Sequence, residues 1–158
     1  MIMDKGMDTG DILLVDETPI EQNDDAQSLH DKLSEQGGKL VLETLSRLQK
    51  NDLLPTPQNS DLASYAPKLK KEESLIDWKI DAENIFNKIR GLSPWPGTHT
   101  LYNGKRLAIL KGEIVLGESS DRPGHVERIT DTGIEAGSYT HLTRPTNNPR
   151  ELSMAAGA

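Results

Sequence analysis

The sequence of 158 residues contains no cysteine, only six aromatic residues, and no apolar run longer than residues 12–15. Without cysteine the chain forms no disulfide and offers no thiolate to a metal, which fits a reducing compartment, and we expect a cytoplasmic protein. A membrane-spanning helix needs about 20 apolar residues, so we expect no membrane segment. The start, MIMDKGMD, lacks the basic and then apolar order of a secretory signal.

Recognisable metal and nucleotide motifs are also missing. The four histidines are scattered along the chain, and we expect no metal site. No phosphate-binding loop or dinucleotide fingerprint is present. At this length the chain holds one domain or two small ones, which excludes a complete TIM barrel.

The net charge of −7 is unevenly distributed. Residues 1–60 carry five basic and twelve acidic side chains, residues 61–111 nine and six, and residues 112–158 four and seven. The middle third is therefore the only basic part, and Coulomb attraction favours it as the place where a polyanion binds. A solvated linker of mixed charge is the alternative that composition alone supports.

The first 50 residues have the pattern of a strand and a long helix. Residues 12–15 form a short apolar run after a Gly-containing turn, which predicts a strand. Asp24 and Asp25 suit the start of a helix, which Gly37-Gly38 is expected to kink or split. Its apolar residues recur at helical spacing, namely Leu29, Leu33, Leu40, Val41, Leu45 and Leu48. So long a stripe must cover something, and one short strand is too little, which indicates that a sheet is missing.

Residues 51–73 are rich in proline and polar side chains and are predicted to be a linker. A second unit follows, with a helix that Asp81 caps and that presents Ala82, Ile85, Phe86 and Ile89. Asn103-Gly104 is a strong hairpin signal. Short strands are predicted over residues 99–102, 105–110, 113–116, 125–130 and 133–136. Such spacing suggests a small sandwich or barrel.

From residue 138 onward the pattern dissolves. Residues 138–158 hold two prolines and no apolar periodicity, so we expect an irregular tail. A barrel that stops at residue 137 keeps an unpaired edge, which natural sheets usually avoid.

Three groups of residues are candidates for function. The Asp8-containing turn can present a carboxylate that orients a histidine or accepts a proton, although most Asp-Gly turns are structural. Cationic side chains in the linker and around the barrel suit phosphate contacts. These are Lys68, Lys70, Lys71, Arg90, Lys105 and Arg106.

Four ordered stretches resemble the methionyl-tRNA formyltransferase family. They are MDKGMDTGDILL (3–14), SLHDKLSEQGGKLVLETL (28–45), SYAPKLKKEESLIDW (64–78) and KIRGLSPWPGTHTLYNGKRLAILKGEIV (88–115). The resemblance implies the C-terminal part of an enzyme with a doubly wound α/β catalytic domain, a linker and an OB-like β-barrel. Residues 1–50 would be the remnant of the catalytic domain, 51–73 the linker, 74–137 the truncated barrel, and 138–158 a non-family tail, disordered or artefactual.

The resemblance implies transfer of a formyl group from 10-formyltetrahydrofolate to the amine of initiator methionyl-tRNA. Of the family's catalytic Asn, His and Asp, only the Asp falls on this sequence, at Asp8, and the main folate-binding loop falls outside it. We therefore expect no turnover from this chain alone. We also expect tRNA as its partner and a monomeric state. Two alternatives stay open: a non-catalytic module that binds tRNA or another partner, and a folate-dependent formyltransferase acting on sugar nucleotides.

Overall fold

A computed structural model describes residues 1–116, 122–131 and 133–138, together with the backbone of residues 150–157. The chain divides into two compact units. The first contains residues 1–24 and 28–68, and the second contains residues 25–27 and 69–158.

Helix α1 (Ala26–Gln49) dominates the first unit. The Asp24 carboxylate, just before it, accepts hydrogen bonds from Ser28 Oγ and Lys32 Nζ, each at 2.8 Å. The expected break at Gly37-Gly38 is wrong, because the helix continues through both glycines. Glycine lowers helix propensity by about 1 kcal/mol but still forms the backbone hydrogen bonds. No side chain of α1, which is described throughout, is buried.

The expected strand over residues 12–15 is also wrong. Only Ile12 has a β partner there: it forms an isolated antiparallel bridge with Thr56, with both N–O distances 2.8 Å. A strand needs a neighbour along its length, and the described part of this unit supplies one only at Ile12.

Helix α2 (Ala82–Gly91) organises the core of the second unit. Its cap is as predicted, since Asp81 Oδ1 accepts from the Asn84 N–H at 2.8 Å. Ile85 and Ile89 are buried on one face and form a core cluster with Ile76, Ile109 and Ala136. The spacing of apolar residues in α2 therefore predicted its buried face correctly.

The second unit contains one antiparallel sheet with strand order β1-β2-β5-β4-β3. The strands are β1 (Thr98–Tyr102), β2 (Lys105–Leu116), β3 (Val126–Ile129), β4 (Ile134–Gly137) and β5 (Arg150–Gly157). Asn103 and Gly104 turn the β1–β2 hairpin with φ of 50° and 75°, as their sequence predicts.

Two strands differ from the sequence prediction. Strand β2 is continuous where two strands were expected. The interruption in its apolar pattern lies beside an irregularity in its pairing with β5, between Ile109 and Lys111. The backbone of residues 150–157 forms β5 between β2 and β4, where an irregular tail was expected. Residues 139–149 of that tail lie outside the described part of the chain.

Trp78 contacts segments near both ends of the strand order. Its Nε1–H donates to Thr100 Oγ1 of β1 at 2.9 Å. Its ring also lies against Gly124, in the turn before β3, where an added Cβ would sit 2.9 Å from Trp78 Cγ. Trp78 therefore fills the space between β1 and the turn that precedes β3.

Candidate functional site

Asp8 lies in an exposed turn of the first unit. Its backbone has φ of 56°, in the left-handed region that few residues other than glycine adopt. Gly10 is buried two residues later, and a Cβ there would lie 1.8 Å from the Ile2 carbonyl oxygen. Glycine is therefore required at position 10, because the backbone of residue 2 passes directly over it.

A glutamine of the predicted linker holds this turn. Gln58 Nε2 donates to the Asp8 carbonyl at 2.8 Å and to the Gly10 carbonyl at 2.7 Å. Sequence reasoning missed Gln58, because its partners lie 50 and 48 residues away. A polar residue in a proline-rich segment gives no local sign of such a contact.

The turn does not by itself hold a folate. Met7 and Asp8 are both exposed, so the described residues around the carboxylate do not enclose a ligand. His30 does not pair with Asp8 either: its Nδ1 lies 3.2 Å from the carboxylate of Asp31, its exposed neighbour in the sequence.

The three predicted linker lysines are exposed. Lys68 ends the first unit, whereas Lys70 and Lys71 belong to the second. The Lys70 N–H donates to Glu73 Oε2 at 2.7 Å, at the start of a short 3-10 turn over Lys71–Ser74. The backbone of this basic segment is therefore partly ordered, while its ammonium groups remain accessible to solvent.

The structure divides the three predicted cations of the barrel region between two places. Arg90, on α2, lies 5.3 Å from the Phe86 ring centre and donates from Nε to Asn87 Oδ1 at 2.8 Å. Lys105 and Arg106 open β2 and are exposed. Arg106 lies directly opposite Leu101 of β1.

Lys88, which sequence reasoning missed, joins Arg106 near His99 of β1. Burial lowers the pKa of His99, and the positive charges of Arg106 and Lys88 lower it further. Lys88 Nζ donates to the Leu75 carbonyl at 2.8 Å, and Leu75 forms a parallel bridge with His99. Local pattern around residue 88 does not identify this contact, because Leu75 lies 13 residues away.

Neither a metal-binding cluster nor a membrane-spanning helix occurs among the described residues. No group of three or more acidic or histidine side chains in the described ranges is placed to hold a metal ion. No helix of the described chain is long and apolar enough to cross a membrane.

Comparison with known families assigns a class to the second unit. Residues 68–138 match the family described as formyl transferase, C-terminal domain. The match begins within the basic segment and ends directly after β4.

The relatives define the kind of formyl transferase that the chain resembles. It is 49% identical over 131 residues to a methionyl-tRNA formyltransferase of Caldanaerobacter subterraneus subsp. tengcongensis, covering 83% of this chain and 42% of the relative. It is 44% identical over 140 residues to a methionyl-tRNA formyltransferase of Citrifermentans bemidjiense, covering 89% and 43%. The chain thus spans about two fifths of these relatives' lengths.

A solved structure shares the fold. HypX from Aquifex aeolicus, in complex with tetrahydrofolic acid, matches with a TM-score of 0.64 and 21% identity, over 96% of this chain and 25% of that one. At this identity the likeness concerns the fold alone.

Proposed function

We propose that this chain is part of a methionyl-tRNA formyltransferase, which transfers a formyl group from 10-formyltetrahydrofolate to the amine of initiator methionyl-tRNA in the cytoplasm. The observation that carries the proposal is the identity of 40–49% to eight such enzymes over most of the chain. Bound formyltetrahydrofolate would supply the formyl group.

The proposal includes a domain assignment. Residues 1–50 are the end of a doubly wound catalytic domain, 51–73 a linker and 74–137 an OB-like barrel, to whose sheet the backbone of residues 150–157 adds strand β5. The exposed stripe of α1 supports the first part, because Val41 and Leu45 are more than half exposed and such a stripe normally covers a sheet. Contact of Trp78 with Thr100 and Gly124 supports a closed barrel.

Asp8 is the proposed catalytic carboxylate. Attack of the amine on the formyl carbon creates an oxyanion that needs preorganised donors, and the amine must lose a proton. A carboxylate accepts hydrogen bonds and donates none, so Asp8 serves the proton and not the oxyanion. Groups that act as a unit lose most activity when one is missing. We therefore propose that the polypeptide of 158 residues alone is inactive.

Initiator tRNA is the proposed partner, bound by a monomer through basic side chains. The exposed lysines of residues 68–71 support this, since solvent-accessible ammonium groups can contact phosphates and release the counterions condensed on nucleic acid. Lys68, Lys70, Lys71, Arg90, Lys105 and Arg106 form the proposed contact set.

A formylation assay tests the proposal. The purified chain, a labelled formyl donor and charged initiator tRNA should give no product above background. The chain joined to the upstream part of the Caldanaerobacter relative should formylate the tRNA, and Asp8→Asn in this hybrid should abolish the reaction. Turnover by the chain alone would contradict the assignment of an incomplete catalytic set.

A non-catalytic module that binds tRNA is the second candidate. The separate core of the second unit favours it, because that unit buries its own apolar residues. A hybrid that binds tRNA but does not formylate it would support the module and reject the enzyme.

A further inference from the structure

We propose that Gln58 is a positioning residue for Asp8, so that the linker holds the catalytic turn in its working conformation. This inference rests on the proposed function, which makes Asp8 the catalytic carboxylate. It assigns part of the catalytic geometry to a segment whose composition suggests only a connector.

The geometry of the Gln58 amide is that of a two-point clasp. Both hydrogen bonds leave the same nitrogen, Nε2, and end on the carbonyl oxygens of Asp8 and Gly10 at 2.8 and 2.7 Å. Only the NH₂ end of a glutamine has two hydrogens to donate, so two carbonyl partners fix the orientation of the amide. The clasp therefore requires a side-chain donor with at least two hydrogens and not merely a side chain of this length.

The turn needs such support because its backbone is unfavourable. A left-handed conformation at a residue other than glycine costs about 1–2 kcal/mol, and Asp8 adopts it with φ of 56°. Gln58 bonds the carbonyls on both sides of Thr9, so the turn cannot open without breaking two hydrogen bonds. The exposed carboxylate thereby gains a fixed backbone although its own side chain reaches into solvent.

A second contact brings the same linker segment to the turn. Ile12 and Thr56 exchange two backbone hydrogen bonds of 2.8 Å, which place residue 58 beside residues 8–10. Backbone pairing thus delivers the segment, and the Gln58 side chain makes the contact specific to the turn. Loss of the amide should loosen Asp8 and leave the Ile12–Thr56 bridge intact.

The consequence is a selective effect on turnover. A misplacement of about 1 Å in a reacting group costs about 10²-fold in rate, whereas the lysines proposed to bind tRNA are not part of this turn. Weakening the clasp should therefore lower kcat and leave KM for tRNA nearly unchanged. A general loss of folding would also lower the apparent kcat, so kcat is expressed per folded molecule, with the folded fraction measured by circular dichroism.

The test uses the hybrid with the upstream part of the Caldanaerobacter relative. Gln58→Met keeps the length and removes both donors, and Gln58→Glu sets a carboxylate against two carbonyl oxygens. We expect kcat to fall about 10- to 100-fold in both variants, with KM for tRNA changed less than about twofold. Gln49→Met is the matched control, since Gln49 is an exposed residue at the end of α1, and its kcat should be unchanged.

A second measurement needs no activity and uses the chain of 158 residues. Gln58→Met should shift the amide resonances of residues 8–11, and Gln49→Met should not. Unmoved resonances, or an unchanged kcat in a hybrid that Asp8→Asn inactivates, would overturn the role of Gln58 and leave the proposed function standing. Full activity of Asp8→Asn, together with shifted resonances in Gln58→Met, would instead reject Asp8 as the catalytic residue and leave the clasp as a structural contact.

Discussion

Among single residues, Asp24 shows most clearly how one charge organises its surroundings. Hydrogen bonds lower its pKa from 3.8 to about 2; the bond from Lys32 is the largest cause, followed by those from Glu21 N–H and Ser28. A carboxyl with a lowered folded-state pKa stabilises the fold above its unfolded pKa and stops doing so as pH falls through the folded one. Asp24 should therefore support the start of α1 fully above about pH 4 and cease to do so near pH 2.

Titration of the Asp24 carboxyl by NMR measures this directly. We expect an apparent pKa near 2 in the native chain and a clear rise in Lys32→Ala, because the largest stabilising bond is lost. Lys39→Ala is the matched control, since Lys39 pairs with Glu35 on the same helix. An Asp24 pKa that is unchanged in Lys32→Ala would contradict the contact.

Two glycines separate the cost of a left-handed backbone from the cost of crowding. Gly104 and Gly124 have φ of 75° and 79°, but an added Cβ meets open space at Gly104 and the Trp78 ring at Gly124. Gly104→Ala should cost about 1–2 kcal/mol for the backbone alone. Gly124→Ala should cost about 1–3 kcal/mol more, because the ring must move. Urea unfolding followed by tryptophan fluorescence gives both values, and equal losses would show that Trp78 does not pack there.

At the scale of whole elements, the two helices differ in what their apolar faces touch. Ile85 of α2 is completely buried, whereas Leu45 of α1 is 53% exposed. Ile85→Ala should therefore destabilise the second unit by about 2–5 kcal/mol.

Leu45→Lys should change the unfolding free energy by less than about 0.5 kcal/mol and should delay aggregation, because it interrupts an exposed apolar stripe. Chemical denaturation and light scattering test these values; a large loss in Leu45→Lys would mean that the stripe is covered in solution.

Elements whose determinants lie within a few residues could be predicted from the sequence. Helix α2 follows from the Asp81 cap and apolar spacing, and the β1–β2 hairpin follows from Asn103-Gly104. Strand β2 was divided in two because Lys111-Gly112 interrupts its apolar pattern, yet pairing with β5 runs through Gly112. The extent of β2 depends on a partner strand that lies more than 30 residues further along the chain. The local sequence pattern around β2 therefore does not predict where the strand ends.

Side-chain contacts between distant segments were the part of the site that the sequence did not predict. Resemblance predicts Asp8 as a site residue but not Gln58, since nothing near residue 58 identifies a partner in the turn at residues 8–10. Trp78 packs against the core cluster, but its position against Gly124 depends on the path of the whole sheet. The buried Glu135, paired with Arg128 at 2.6 Å, likewise becomes visible only once β3 and β4 are in register.

At the scale of the molecule, an acidic chain presents a basic segment in its middle third, and the proposed binding of tRNA there should depend strongly on salt. Each phosphate contact adds about 0.7–0.9 to the slope of log K against log salt concentration. Replacing Lys68, Lys70 and Lys71 by alanine should therefore weaken tRNA binding and reduce that slope by about 2–3. Lys5, Lys39 and Lys50, all exposed in the acidic first third, form the matched control triple with the same change in net charge. Filter binding across a salt series measures the loss of tRNA affinity in both triple variants and so distinguishes local contacts from an effect of net charge. Equal losses of affinity in the two triples would contradict a special role for residues 68–71.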